Sequence, residues 1–393
     1  MIARAPYLFL LLVILPDVYF DLCYWRRKYT AGRRLLYWLP SIVLTALTIE
    51  LTYEPHFEPD NTLLLFSYLL LLGLITIPKW SYMTCSILGR GLNKLTHLGR
   101  PQQGKRRNYG NLLGVVAVAV IWYIVLYGAL IGFNKLEVNY HTYTSPDVPK
   151  AFDGYKIVLF SDAHVGTMSG NRQWLLQRAV DTINAQKPDM IAFTGDLQNQ
   201  HPKEVLEHQM LLGSLKAKDG IYSVLGNHDY DRYYHITEEH RPVRKFPQME
   251  RLQKQMGWHL LQNENTTIIR GSQAFTIAGM ENDGDGKKFP QNGNVKRALR
   301  GAKPFVVMLE HDPSAWRRKI VPDGRAQLTL SGHTHNMQFA LCGWSPMKLS
   351  GKEINGWYQQ GKQSLFVTSG LGGLIPFRFG ATAEIVVITL RTS

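Results

Sequence analysis

Four apolar stretches at the start of the chain restrict its fold more than any other feature of the sequence. Three of them have roughly the 17–25 residues that a helix needs to cross a hydrocarbon core, and the third stretch is on the short side. No small-residue cleavage site follows the first, which argues against a cleaved signal peptide. The sequence therefore predicts a membrane domain with four transmembrane helices over residues 1–139, at Pro6–Tyr24, Leu36–Tyr53, Leu63–Pro78 and Leu112–Phe133.

The basic residues between these stretches predict an orientation. The formal net charge of the chain is +14. The loop WRRKYTAGRR carries five Lys and Arg residues and the segment from Lys79 to Arg107 carries seven, whereas the loop EPHFEPDN carries none. Because basic loops stay on the cytoplasmic side, we expect a multi-pass protein of the cell inner (cytoplasmic) membrane. Both termini and all residues after Phe133 are expected to be extracytoplasmic.

Two carboxylates, Asp17 and Asp21, lie within the first apolar stretch at a spacing of four residues, and so on one helix face. They have two interpretations. They are either an ionisable pair that lines the interior of a helix bundle, or Asp21 lies at the membrane interface beside Arg26 or Arg27 and Asp17 is tolerated next to Pro16. The sequence leaves both open.

The polar, turn-rich segment Ser145–Gly154 reads as a linker into a second domain, over residues 150–393. Apolar runs of about five residues then alternate with longer amphipathic segments. One such segment follows the first run and keeps helical spacing at Trp174, Leu175, Ala179, Val180 and Ile183. Strand–helix–strand order of this kind predicts an α/β fold with a sheet that contains parallel strands.

Five of the apolar runs end in residues that bind metals. Ligands bind beyond the carboxyl ends of the strands in open α/β sheets, so these residues are expected to meet. Residues i and i+2 of an extended segment point to the same side, so one strand end can present two ligands. In chain order the residues are Asp162 and His164, then Asp196, then Asn227 and His228, then His311, and finally His333 and His335.

These residues offer carboxylates, imidazoles and one amide but no thiolate. This set suits Mn, Fe or Zn better than a structural zinc site of the cysteine type. Even without His228, the seven remaining candidates are too many for one tetrahedral ion and fit two divalent metal ions that share a carboxylate. Two metals about 3.5–4 Å apart are a known solution to phosphoryl chemistry, in which a hydroxide activated by the metals attacks phosphorus.

The motifs SDAH, GD, GNHD, EHDP and SGHTH, in this order, resemble those of the calcineurin-like metallophosphoesterase family. The ending LFVTSGLGGLIPFRFG is similar to a bacterial membrane-associated branch of it. The resemblance implies a β-sandwich flanked by helices with a dinuclear site at one end. It also implies that one metal is held by Asp162, His164 and His335 and the other by Asn227, His311 and His333. Asp196 would bridge them, and His228 would contact the phosphate and protonate or stabilise the leaving group.

The sequence departs from the family pattern at two places near these motifs. Asn199 stands where relatives usually have an acidic residue, and Asn336 and Met337 replace two common glycines. Arg378 either contacts phosphate, since a guanidinium pairs bidentately with phosphate oxygens, or is a surface residue of a loop. The segment over 339–358, rich in large apolar residues, either packs against a sheet or touches the bilayer or an acyl chain.

Together these features predict a membrane-anchored phosphohydrolase, with the lipid bilayer and a phosphorylated, possibly lipid-linked compound as partners. Related enzymes cleave UDP-2,3-diacylglucosamine in the cytoplasm, so the predicted orientation favours a phosphate on an envelope lipid or an exported ester. One alternative is a non-catalytic, metal-binding sensor or scaffold domain. A nuclease of the same fold is another, but no nucleic acid is expected because the basic residues are scattered.

Overall fold

The computed structural model describes residues 5–53, 62–96, 98, 107–230, 247–286 and 289–393. It divides the chain into two compact units, Met1–Ala129 and Leu130–Ser393. The predicted boundary between residues 139 and 150 is C-terminal to this division. The difference arises because Leu136–Thr144 forms a strand that pairs in parallel with Ala383–Arg391 of the second unit.

Among its described residues the first unit has five α-helices, and four helical segments there are long and apolar enough to cross a membrane, as predicted. The third of these segments, Leu63–Thr96, is much longer than the sequence suggested because its helix continues past Pro78 without a break. The helices are α1 (Ala5–Phe20), α2 (Ala31–Tyr53), α3 (Thr62–Leu71), α4 (Ile77–Thr96) and α5 (Tyr109–Leu130), and π-helical turns extend α1 and connect α3 to α4.

Both acidic residues of the first span are paired with bases from other helices. The buried Asp17 carboxylate accepts from Lys79 Nζ at 2.7 Å, and this ammonium also donates to Ser41 Oγ at 2.8 Å. Asp21 pairs with Arg34, rather than with Arg26 or Arg27. The buried ion pair therefore joins three helices, and Lys79 belongs to a span instead of to a cytoplasmic loop.

The second unit is built on two six-stranded mixed sheets. Its strands are β1 (Leu136–Thr144), β2 (Lys156–Phe160), β3 (Met190–Phe193), β4 (Ile221–Ser223), β5 (His259–Leu260), β6 (Glu264–Arg270), β7 (Gln273–Gly279), β8 (Val306–Leu309), β9 (Leu328–Ser331), β10 (Gly356–Gln360), β11 (Gln363–Val367) and β12 (Ala383–Arg391). Sheet A has the order β1-β12-β2-β3-β4-β5 and sheet B the order β10-β11-β9-β8-β7-β6. The parallel strands β2, β3 and β4 of sheet A and β7, β8 and β9 of sheet B are the central ones.

Both faces of each sheet are covered, which explains why the strands read as unbroken apolar runs. In β2, Ile157 and Leu159 face a core shared with sheet B, whereas Val158 and Phe160 pack against helix residues such as Ala179. The helices of this unit are α6 (Gln173–Ala185), α7 (Pro202–Leu212), α8 (Pro247–Gln255) and the short α9 (Val295–Ala298) and α10 (Val321–Asp323). This is the predicted β-sandwich flanked by helices.

Candidate metal centre

The loops that follow five strands bring all the predicted ligands to one edge of the sandwich. Three of these strands are in sheet A and two are in sheet B. The loops after β2, β3 and β4 supply Asp162, His164, Asp196, Asn227 and His228, and the loops after β8 and β9 supply His311, His333 and His335. The carboxyl ends of parallel strands therefore meet across the two sheets, as the α/β pattern predicts.

One group of four side chains consists of Asp162, His164, Asp196 and His335. Each offers one ligand atom, and these atoms all lie within 4.8 Å of one another. The Nε2 atoms of His164 and His335 are 3.2 Å apart, and His335 Nε2 is 3.4 Å from Asp162 Oδ1. Ring nitrogens that face each other at this distance suit a cation between them, since two lone pairs repel.

A second group consists of Asp196, His311 and His333, with ligand atoms again within 4.8 Å of one another. His311 Nε2 is 3.2 Å from Asp196 Oδ2, from His333 Nδ1 and from Asn227 Oδ1. Asp196 is common to both groups. The donor set therefore fits cations on the two sides of one shared carboxylate.

Burial sets the protonation of most of these histidines. It lowers the pKa of His164 to about 3 and lowers the pKa values of His333 and His335 as well. These imidazoles are neutral near pH 7, which is the form that binds metals. His311 differs because, although burial alone would lower its pKa, the Asp196 carboxylate raises it to about 10. A cation bound at His311 would replace that proton.

Five of the predicted ligands have left-handed backbone although none is glycine. The φ angles are +51° at Asp162, +41° at His164, +57° at Asp196, +72° at His333 and +49° at His335. Such conformations cost about 1–3 kcal/mol each and cluster at functional sites. The fold therefore holds these side chains in place at the expense of stability.

Two glycines at the site are needed for close approach rather than for a turn. A Cβ on Gly226 would lie 2.2 Å from Asp196 Oδ1, and a Cβ on Gly332 would lie 2.1 Å from Asp162 Oδ2. Neither residue has positive φ. The glycines before Asn227 and His333 thus make room for the carboxylates.

His228 lies against both groups through its backbone and its ring. Its N–H donates to Asp196 Oδ1 at 2.7 Å, and its Nδ1 donates to the carbonyl oxygen of Asn199 at 2.6 Å. The ring meets that of His164 edge to face, with centroids 4.8 Å apart. The contact with the carbonyl fixes the ring orientation and places the proton of the neutral ring on Nδ1.

Asp229, the last residue of GNHD, was assigned no role from the sequence and is a central part of the site. Its buried carboxylate accepts from the backbone N–H groups of Gly226, Asp196 and Leu197 at 2.8–2.9 Å. Burial and the nearby Asp196 raise its pKa to about 7. This side chain joins the loop after β3 to the loop after β4.

Asp312 was also assigned no role, and it holds a predicted ligand. Its Oδ2 is 3.5 Å from His333 Nε2, while the other ring nitrogen, Nδ1, faces His311. A carboxylate on the far nitrogen of a ligating imidazole fixes the ring orientation and its tautomer. The signal in the sequence is the acid that directly follows His311 in EHDP.

Arg378 occupies a different position from the one predicted. It is buried, and its guanidinium donates to the backbone carbonyl oxygens of Gly372, Ala381, Ser369 and Gly370. Burial lowers its pKa to about 10. With these donors directed to carbonyls, the geometry gives Arg378 a role in shaping the loop after β11 and does not support direct contact with phosphate.

Two family descriptions match the chain. Calcineurin-like phosphoesterase matches residues 155–337, and the description of a probable calcineurin-like phosphoesterase transmembrane domain matches residues 2–133.

Several known proteins are similar to the chain over most of their length. It is 32% identical to the metallophosphoesterase YkuE of Bacillus subtilis over 268 residues, which cover 66% of this chain and 87% of that one. It is 26% identical to a transmembrane protein with metallophosphoesterase domain of Danio rerio, over 86% of this chain and 75% of the relative. It is also 26% identical to the UDP-2,3-diacylglucosamine pyrophosphatase LpxG of Chlamydia muridarum, over 71% and 95%.

Proposed function

The chain belongs to the calcineurin-like phosphoesterase family, and from this premise we propose that it is a membrane-anchored, dinuclear-metal phosphoesterase. It hydrolyses a phosphate ester or a pyrophosphate with water as the nucleophile. The observation that carries the proposal is the shared Asp196, which belongs to both groups of ligand atoms.

In this proposal Asp162, His164 and His335 hold one divalent cation, Asn227, His311 and His333 hold the other, and Asp196 bridges them. When bound, such a pair of cations supplies the charge that activates water near neutral pH and polarises the phosphate. The cations are Mn, Fe or Zn, because the ligands are oxygens and imidazole nitrogens without a thiolate.

His228 moves the proton in the proposed reaction. Its Nδ1–H donates to the Asn199 carbonyl oxygen, so the protonated ring presents Nε2–H to the leaving oxygen of the substrate. Its backbone N–H holds Asp196 Oδ1 and thereby links the position of the acid to that of the shared carboxylate. A positioned acid of this kind contributes roughly 10²–10⁴-fold to the rate.

The substrate class that we propose is a phosphate on a lipid-linked or other envelope compound. Support comes from the four candidate spans of the same chain and from the similarity to LpxG, whose name describes a pyrophosphatase of a diacylated sugar nucleotide. A structural zinc or sensor domain would need ligands but not a positioned His228, which favours catalysis over the non-catalytic alternative.

The catalytic unit is proposed to lie outside the cytoplasm, with the protein in the cell inner membrane. Lys79 no longer counts toward a cytoplasmic loop, because it is paired with Asp17 inside a span. The five basic residues of WRRKYTAGRR and those before Tyr109 still lie on one side. The positive-inside rule therefore keeps the same orientation.

The proposal is tested by removing metals from the purified full-length protein with a chelator and then titrating it with Mn²⁺. Turnover of bis(p-nitrophenyl) phosphate, a soluble phosphodiester, is measured at each step beside the bound metal. We expect turnover to rise with occupancy up to two ions per chain. Full occupancy without turnover of this diester or of p-nitrophenyl phosphate would favour the non-catalytic domain.

A further inference from the structure

A loop of apolar residues begins directly after His335, and we call residues 336–352 the lip. Several of its large apolar side chains are in contact with solvent. The exposed fractions are 55% for Met337, 54% for Leu341, 45% for Trp344 and 81% for Leu349. The neighbouring loop adds Leu374, which is also exposed. Apolar side chains grouped at the border of a site mark a surface that contacts another apolar phase.

The lip is held firmly from behind. Gln338 is buried, and its side-chain amide donates to the carbonyl oxygens of Ile375 and Phe377. Phe339 stacks on Phe379 with ring centroids 5.8 Å apart. Since this side of the loop packs against the domain, the exposed side chains on its other side are presented by an ordered backbone.

Met337 has a backbone conformation that is unfavourable for a residue other than glycine. Its φ is +61°, and its neighbours Asn336 and Gln338 are also left-handed, at +48° and +52°. Within the same lip Gly343 and Gly351 also have this conformation, and so does Cys342, whose φ is +50°. Glycine would relieve the strain at Met337. Because the Met337 side chain is also more than half exposed, packing within the domain does not account for it.

The charge of the lip matches an anionic surface. Residues 336–352 contain Lys348 and Lys352 and no acidic residue. Lys348 Nζ donates to the carbonyl oxygen of Gly343, and because a carbonyl is neutral this contact leaves the positive charge of Lys348 in place. Lys352 instead pairs with the carboxylate of Asp285. Exposed Trp and Leu beside Lys is the composition of segments that lie in the headgroup region of a bilayer.

We infer that the lip inserts its exposed apolar side chains into the surface of an anionic lipid bilayer, beside the mouth of the metal centre. The same chain carries four candidate membrane spans, so a bilayer is within its reach. The consequence for catalysis rests on the proposed function, since a lip in the bilayer would present lipid-borne phosphates to the centre. The insertion itself does not depend on that function.

The insertion is tested with Cys342, an exposed thiol within the lip. In full-length protein with Cys23→Ser and Cys85→Ser, Cys342 carries the environment-sensitive fluorophore NBD. The protein is reconstituted into vesicles of phosphatidylcholine and phosphatidylglycerol that contain doxyl-labelled lipid. The control probe replaces exposed Ser272, in the turn before β7 and so at the end of sheet B away from the centre, in a Cys342→Ser background.

We expect quenching of the Cys342 probe to be several-fold stronger than quenching of the Ser272→Cys probe. Equal quenching at the two positions would overturn the proposal. The proposal would also be overturned if, in detergent, the fluorescence of the Cys342 probe reported shielding from water only at high protein concentration. That result would assign the lip to contact with a second copy of the chain.

Two variants with matched exposure show whether the apolar side chains cause the insertion. Leu341→Ser with Trp344→Ser should reduce quenching at Cys342 several-fold, whereas Leu206→Ser with Trp174→Ser, exposed to the same degree on helices, should leave it unchanged. Equal effects of the two pairs would contradict a specific role for the lip. Met337→Gly should also weaken quenching while it raises the melting temperature by about 2–4 °C relative to Met337→Ala.

Turnover of soluble bis(p-nitrophenyl) phosphate separates this proposal from the proposed function. The lip variants should retain it within about twofold, which also shows that they fold. If the protein with an unsubstituted lip lacks all turnover but its Cys342 probe is quenched, the phosphoesterase proposal fails while the lip proposal stands. If turnover is normal but the Cys342 probe is not quenched, the lip proposal fails while the phosphoesterase proposal stands.

Discussion

Asp196 connects the two groups of ligand atoms through one carboxylate oxygen, Oδ2, while the backbone holds the other. Oδ2 faces His311 at 3.2 Å and His164 at 3.6 Å, and Oδ1 accepts from the backbone N–H of His228. Although burial would raise the pKa of this carboxyl, the His311 and His228 charges lower it well below its ordinary value. The side chain is therefore ionised near neutral pH.

Asp196→Asn should remove bound metal and activity together, because an amide offers one neutral oxygen in place of a bridging carboxylate. The loss of metal affinity should exceed the roughly 10–100-fold that loss of an outer-shell partner costs. Metal content and diester turnover are measured side by side. Asp189→Asn, a buried carboxylate at the start of β3 and so at the opposite end of that strand from Asp196, is the control that should keep both. Retention of two ions in Asp196→Asn would contradict the bridging role.

His228→Ala should keep the metal and lose rate by roughly 10²–10⁴-fold, because the side chain is proposed to donate a proton and not to bind the cations. The loss should be largest for esters with a poor leaving group, such as an alkyl phosphate, and smaller for p-nitrophenyl esters. Rates for both substrates are compared at full metal occupancy. An identical loss for the two leaving groups would exclude the role as an acid.

The sequence identified the candidate ligands but not the residues behind them. His333 and His335 stand out because they follow an apolar strand at a spacing of two. Asp229 and Asp312 resemble many other surface acids in the sequence, and only the folded chain brings them to backbone N–H groups or to an imidazole. For Arg378, a basic residue in a glycine-rich loop, the sequence does not distinguish a phosphate contact from a support for the loop, and the carbonyl contacts of its buried guanidinium favour the second.

Among the elements, the central strands were predictable and the edges were not. The strands β2, β3, β8 and β9 are apolar runs because helices or the other sheet cover both of their faces. The strand β1 lies between the last span and the predicted linker and is mostly exposed or half-buried, so it lacks the unbroken apolar run that marks the central strands. The edge strand β10 is mostly exposed, which removes the hydrophobic signal.

Asp189 joins elements of both sheets and provides a test of pH dependence. Its carboxylate accepts from the backbone N–H of Lys156 in β2 and pairs with Arg270 in β6 and with Lys218. Burial alone would raise its pKa, but these partners lower it below the ordinary value. A depressed pKa adds stability above the pKa of the unfolded chain, and this stability is lost as the pH falls through the folded value.

Asp189→Asn should therefore lower the free energy of unfolding of the second unit by about 1–3 kcal/mol at pH 7. The difference from the unsubstituted protein should begin to shrink as the pH falls below about 4. It should disappear only below the lowered pKa of the folded state, where the carboxylate is protonated in both states. Thermal unfolding of the full-length protein from pH 3 to pH 8 measures it, with Asp181→Asn on the exposed face of α6 as the control. A constant difference across this range would show that the ionised form does not matter.

The molecule as a whole combines a membrane unit and a two-sheet unit, and its charges determine how it is oriented. The membrane unit was predictable from apolar length alone. The extent of its third span was not, because Lys79 and Pro78 read as the end of a helix. In the structure Lys79 stays inside the span because the Asp17 carboxylate neutralises its charge and Ser41 Oγ accepts a further hydrogen bond from the ammonium. Charge counts for loops depend on such pairs, which a sequence does not reveal.

A reporter fused after Ser393 tests the orientation of the entire molecule. The positive-inside rule places the loops with Arg26, Arg27 and Arg34 in the cytoplasm, so alkaline phosphatase at this position should be active and green fluorescent protein dark. Arg34 is paired with Asp21 at the end of the first span, which weakens its own contribution to the signal. Replacing Arg26, Arg27 and Lys28 with Gln should therefore lower the alkaline phosphatase signal, since these cations supply most of the bias of that loop. A fluorescent fusion in the unsubstituted protein would place the metal centre in the cytoplasm, where a cytoplasmic lipid precursor becomes the better substrate class.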